Sequence, residues 1–302
     1  MRAIRWVSCV IAGLLVSMSA AFGAEWGLKE GTPEIKSAGP LTFGPDGILF
    51  VGDTKGATIF AIGTGDTRGN PSKVEINVSG LNAKIAEMLG VNADKITIND
   101  LAVNPLTGNV FSSVSKAGSA AVVKIAADGK LSQVSLQKVL FQKVELPNAP
   151  EDKEVATKQG PRNARAESIT DLAYAEGKVY VSGVAVGTSP SNVREIPFPF
   201  SDASAGTSVE IYHGAHGRVE DYAAIRTFVP INIDGEASLL AGFTCTPLVK
   251  FPINSLKPGE KTRGTTVAEL GNHNRPLDMI VYKKDGKEFL LMANSARGVM
   301  KI

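Results

Sequence analysis

A chain of 302 residues has room for one large β domain or two ordinary ones, and its 43% hydrophobic content is enough for a packed core. Its 32 lysines and arginines nearly balance 30 aspartates and glutamates. No strong charge of either sign therefore directs it to nucleic acid or to an anionic membrane surface.

The first residues read MRAIRWVSCVIAGLLVSMSAAFGAEW. Arg2 and Arg5 precede an apolar run from Trp6 to Val16, and small residues follow up to Gly23. This order predicts a cleaved secretory signal over residues 1–23. The mature protein, residues 24–302, is then periplasmic or secreted and forms a single propeller domain. An uncleaved anchor would need about 20 apolar residues, more than this run supplies. Cleavage removes Cys9 and leaves Cys245 as the lone thiol, so the core rather than disulfides must stabilise the fold. The ordinary role of such a thiol is that of a small buried apolar residue.

Next along the chain, TPEIKSAG (residues 32–39) reads as an isolated strand. It precedes LTFGPDGILFVGDTKGATIFAI, a strand, a turn, a strand, a loop and a third strand. That unit returns as NDLAVNPLTGNVFSSV with AAVVKIAADG, as TDLAYAEGKVYVSGV with NVREIPFPF, as RTFVPINIDGEASLLAGF with PLVKFPI, and as LDMIVYKKDGKEFLLMA with GVMKI. Each first turn ends in Gly (Gly47, Gly108, Gly177, Gly235, Gly286), which supplies the positive φ of a tight hairpin. KVEINVSGL, SQVSLQKVLF, TSVEIYHG and TTVAELG read as fourth strands of the first four units. The fifth unit ends at Ile302 after three strands. This pattern predicts an all-β chain folded as a β-propeller of five four-stranded blades, with six as the alternative. The segment 32–39 would close the ring by pairing beside 298–302 in the last blade. A sandwich would not need one four-strand unit five times, and a β-helix would repeat at much shorter intervals.

In such blades the connections alternate between two faces. Nearly every insertion falls on one of them: residues 82–95, read as a short helix stopped by Gly90, the polar segment 147–168, and residues 184–192. Long loops on one end of a rigid scaffold concentrate binding residues. His213, His216 and His273, with Cys245, belong to this loop face in adjacent blades. Two imidazoles and a thiolate would suit copper or zinc, whereas solvated loop histidines are the plainer reading.

Asp100 and Asp278 each lie eight positions before their turn glycine, and Asp171 holds the same landmark in a blade with a shorter turn. Gly39 and Thr227 take that position in the other two blades. These aspartates would ring the mouth of the central channel. With Asn99 and Thr170 they could hold Ca²⁺, a hard cation that takes six to eight oxygens; alternatively each caps its inter-blade turn. Arg165, Arg218 and Arg275 accompany them, either as Arg–Asp bridges between blades or as a recognition set for an anionic ligand.

The stretch LTFGPDGILFVGDTKGATIFAI resembles the blade unit of the NHL-repeat and gluconolactonase/strictosidine-synthase-like propellers, in which an apolar strand, a Pro-Asp-Gly turn and a VGD strand recur. ITDLAYAEGKVYVSG and PLDMIVYKKDGKEFLLMA resemble it more loosely. The resemblance implies a propeller, usually of six blades. In the lactonase branch it implies acidic and amide residues around a central divalent cation, to which Asn99, Asp100, Asp171 and Asp278 correspond by position in the blade.

Two functions follow as expectations. One is an exported binding or interaction module that uses its loop face for a protein or a small ligand, with Asn99, Asp100, Arg165, Asp171, Arg218, Arg275 and Asp278 at the ligand. The other is a divalent-cation-dependent hydrolase or lyase acting at the channel mouth. The first is favoured, because GTSPSN is no G-x-S-x-G elbow and no nucleophile stands beside a recognisable base. C-x-x-C-H is missing too, which argues against attached haem. The expected molecule is a monomer without nucleic acid, membrane span or any cofactor other than Ca²⁺.

Overall fold

The computed structural model describes residues 23, 25–157, 160–245 and 247–302; the predicted signal over residues 1–23 lies outside them apart from Gly23. Among the described residues no helix is long and apolar enough to cross a membrane.

Five antiparallel sheets form a five-bladed β-propeller. Their inner strands are Leu41–Phe43, Ile96–Val103, Asp171–Ala175, Thr227–Ile233 and Pro276–Lys284, which define blades I to V. The first hairpins form where the turn chemistry requires them. Ala175 pairs with Lys178, Ile233 with Glu236 and Lys284 with Lys287, leaving two-residue turns at Glu176-Gly177, Asp234-Gly235 and Asp285-Gly286. Both residues of each turn have positive φ, between 51° and 83°. This conformation matches the twist of the flanking strands and is tolerated by Gly and short polar side chains.

Blade I departs from the expected connectivity. Its third strand, Thr58–Gly63, pairs with Val139–Glu145, and KVEINVSGL forms no strand. The run SQVSLQKVLF is divided. Leu131–Gln133 completes blade II beside Ser119–Ile125, while the chain beyond it returns to blade I. Burial explains the choice. TIFAI is wholly buried and needs an apolar partner; VLFQKVE brings Phe141 against Phe60 and buries Val144, whereas residues 73–80 alternate between half-buried and exposed. Asp66, just after the third strand, anchors the departing chain on blade II through Asn104, Thr107, Asn109 and Lys124.

Ring closure also differs from expectation. The N-terminal strand Lys29–Gly31 joins the outside of blade I against Val139–Glu145, not blade V. Trp26 fixes it there by stacking on Phe198 and donating to Asp46, and Leu28 is buried in the same core. Residues 32–39 form no strand; the backbone N–H groups of Lys36 and Ser37 donate to Asp53 instead. Blade V consequently has three strands among the described residues.

The inner strands stand side by side in the order II, I, III, IV, V. One apolar core joins blade I to blade II through Leu49, Phe60, Phe111 and Val122. A second joins I to III through Phe50, Leu172 and Phe198, and a third spans III, IV and V from Tyr180 through Leu239 to Met292. The helix Leu81–Leu89, ended by Gly90 in the left-handed conformation as expected, packs Ile85 and Leu89 on blade II. Lys261–Arg263, a strand of the blade IV loop, pairs parallel with Thr207–His213 and ties blade IV to blade III.

Candidate functional site

The inner strands of the ring surround a cavity of about 1110 Å³ lined by residues of all five blades. Asp100 and Asp278 line it, and Asp171 lies close enough to feel both their charges. Asp100 accepts N–H groups from Leu101 (2.8 Å) and, across the blade boundary, from Leu41 of blade I (2.7 Å). Asp171 does the same with Leu172 and with Phe228 of blade IV, both at 2.7 Å. Asp278 accepts from Met279 at 2.6 Å. Each carboxylate therefore caps its own strand, and two of them stitch neighbouring inner strands together.

Stripping these groups of water outweighs the hydrogen bonds they receive. Burial, together with the nearby Asp278 charge, pushes Asp100 up to about 7 against the pull of the Leu41 and Leu101 N–H groups. Burial, then the Asp100 charge, raises Asp171 well above the ordinary carboxylate range, and burial raises Asp278. Asn99 donates to the carbonyl of Ala38 (2.7 Å) and to Ser115 (3.0 Å).

The same cavity is lined by an arginine cluster that sequence reasoning identified only in part. Glu167, from the short 3₁₀ turn Ala164–Glu167, pairs with Arg226 at 2.7 Å and also with Arg162. Burial alone would raise its pKa, but the two guanidinium groups hold it below the usual carboxylate range. The segment 147–168 supplies this carboxylate because it folds as a hairpin, Val155–Thr157 against Gly160–Arg162, followed by that turn capped by Asn163.

Arg275 completes the cluster. Its backbone exchanges hydrogen bonds with Ser295, at 3.0 and 2.9 Å. Among the described residues its guanidinium has neither hydrogen bond nor ion pair. Partial desolvation and then repulsion from Arg226 lower its pKa, against the pull of Glu167. A signal for Arg226 was present: Arg226 and Arg275 each immediately precede the inner strand of their blade. The other predicted arginines are engaged elsewhere. Arg165 binds the carbonyls of Pro150 and Lys55, and Arg218 binds Glu220 and Tyr222. No Arg–Asp bridge joins the blades at Asp100, Asp171 or Asp278 among the described residues.

A second cluster lies on the same face, between blades III and IV. Thr207–His213 and Arg218–Glu220 pair around the 3₁₀ turn Gly214–His216, which brings His213, His216 and Glu220 of YHGAHGRVE together. Glu220 takes the Nδ1 of His213 at 2.9 Å and that of His216 at 2.7 Å, one on each oxygen. The two rings approach to 3.9 Å between centroids. Cys245 comes from the turn between strands two and three of blade IV and has a left-handed φ of 63°. Among the described residues, the one set of three or more His, Cys, Asp or Glu side chains whose ligand atoms all lie within 4.8 Å is His213, His216 and Cys245. His273 stands apart with an exposed ring, although its neighbour Asn274 accepts the Cys245 N–H at 2.8 Å.

No protein-family model and no curated protein matches the chain. Solved structures similar to it include a streptogramin B lyase (11% identity over 91% of this chain and 86% of that one, TM-score 0.27). Two others are the PQQ-bound aldose sugar dehydrogenase of Streptomyces coelicolor (12%, 90% and 96%, TM-score 0.29) and an oxidoreductase of Thermus thermophilus described as a glucose dehydrogenase (14%, 91% and 86%, TM-score 0.29). TM-scores this low carry no inference about substrate or chemistry.

Proposed function

We propose that this protein is an exported binding propeller that holds a small anionic molecule, a carboxylate or phosphate ester, in the mouth of its central channel. The observation that carries the reading is the Arg275 guanidinium. It is set on a backbone fixed by Ser295, faces a cavity of about 1110 Å³, and has no ion pair among the described residues. Arg226 stands close enough to repel it, and their nearest counter-charge, Glu167, is already shared with Arg162. An anion entering the mouth relieves that repulsion and accepts charge-assisted hydrogen bonds from a planar donor. Asp100 and Asp278, which line the same cavity, are raised by burial, which lessens the negative charge that an anion would meet there. A lactonase-like cation site is less well supported, because the carboxylates already cap backbone N–H groups.

The test is calorimetric titration with a panel of small carboxylates, sugar acids and phosphate esters at low ionic strength. Saturable one-to-one binding is expected, with Arg275→Met weakening it about tenfold or more, because a hydrogen bond to a charged group is worth about 1.5–3 kcal/mol. Lack of saturable binding across the panel, or equal affinity in Arg275→Met, would refute the proposal.

A further inference from the structure

We infer that His213, His216 and Cys245 form a binding site for one copper or zinc ion, separate from the channel mouth and independent of the ligand proposed there. The two histidines arrive already oriented. Glu220 has a side chain only 2% exposed and takes both Nδ1 atoms. A carboxylate oxygen accepts hydrogen bonds, so each imidazole that donates to it carries its hydrogen on Nδ1 and presents the Nε2 lone pair. A carboxylate behind a histidine in this way is the usual support of a metal ligand.

The Nε2 of His213 needs such a partner. The side chain is 4% exposed, and its Nε2 is buried with no hydrogen bond among the described residues. Buried polar atoms are seldom left unpaired. His213 belongs, with a second imidazole and a thiol, to a set in which one ligand atom of each residue lies within 4.8 Å of the others. A tetrahedral ion with bonds of about 2.0–2.3 Å holds its donors about 3.3–3.8 Å apart, so the set needs only a small contraction. Two imidazole nitrogens and a sulfur suit borderline-to-soft ions. Zinc would add a water or another ligand in its fourth position, and copper is at home in a trigonal His₂Cys set. On binding, the Cys245 thiol gives up its proton to solvent and ligates as thiolate.

The experiment uses untagged protein stripped with chelator. It is titrated with Zn²⁺ against a chromophoric competitor, and separately with Cu²⁺ while the visible spectrum is recorded. One equivalent should bind, and Zn²⁺ should slow alkylation of Cys245. Cys245→Ser and His216→Gln should each weaken binding at least tenfold. Glu220→Gln should weaken it by about 10–100-fold, and His273→Gln should leave it unchanged. Should Glu220→Gln fail to fold, the Cys245 and His216 variants, checked by circular dichroism, carry the test from more accessible positions. An intense charge-transfer band with Cu²⁺ identifies copper, and tight Zn²⁺ binding without it identifies zinc; either outcome supports the site. Binding of neither ion, or equal binding by wild type, Cys245→Ser and His216→Gln, overturns it.

Discussion

Replacing Asp100 by Asn should reverse its effect on stability between acid and mildly alkaline pH. In the folded protein Asp100 titrates at about 7 rather than its ordinary 3.8. The folded state therefore binds a proton that the unfolded state has already released. The stabilisation linked to that proton is fully present below about pH 4 and is lost as pH rises to about 7. About three pKa units at about 1.4 kcal/mol each set an upper limit of about 4 kcal/mol, reduced by whatever water the cavity admits. Asparagine does not titrate, but it turns an NH₂ toward one of the two N–H groups of Leu41 and Leu101. That mismatch costs about 1–3 kcal/mol at every pH. Wild type should therefore be the more stable at pH 4.5, and Asp100→Asn the equal or better at pH 8.5. Urea unfolding of both proteins across that range gives the difference curve, which cancels all titrations that the two share. A difference that is flat, or that moves in favour of wild type as pH rises, would show that the two N–H groups outweigh desolvation and would refute the reasoning.

Two further outcomes concern packing. A Cβ on Gly183 would lie 2.2 Å from the backbone oxygen of Ser168, so Gly183→Ala should lose about 3 kcal/mol in chemical denaturation; a loss under 1 kcal/mol would mean the backbone yields freely. Arg194 is fully buried; among the described residues its Nε and Nη1 are unpartnered and its Nη2 donates to the carbonyl of Pro147. Burial lowers its pKa to about 10. Arg194→Met, similar in reach but uncharged, should be neutral or stabilise by about 1–3 kcal/mol, and a lower melting temperature would contradict that.

Much of the fold was legible because the turns declare themselves. Asp-Gly and Glu-Gly pairs between alternating strands leave little choice of hairpin. Outer strands carry no comparable mark. VEINV in residues 74–78 alternates as a strand should, yet only the apolar demand of the buried TIFAI strand decides that VLFQKVE takes its place. The same limit applied to the site. Asp100, Asp171 and Asp278 could be aligned on turn glycines, and His213 and His216 stood out by type. Glu167 and Arg162 belong to an irregular loop with no repeat to align, so their pairing with Arg226 emerges only in three dimensions. Glu220 was closer to hand, four residues after His216, but an acid on a short return strand gives no sign in sequence that it faces two histidines.

The late arrival of blade I's fourth strand constrains how the chain can be assembled as it is synthesised. Val139 follows Gly63 by 76 positions, and all of blade II lies between them. Closing a flexible loop of that length costs on the order of 4 kcal/mol, whereas a folded blade II brings the two ends together beforehand. Blade II and its helix are thus best formed first, as a clamp within an unfinished neighbour. Until residue 139 emerges, the apolar edge around Phe60 and Ile62 lacks its final partner. A nascent chain stalled in that interval would present a sticky, strand-ready surface to its surroundings.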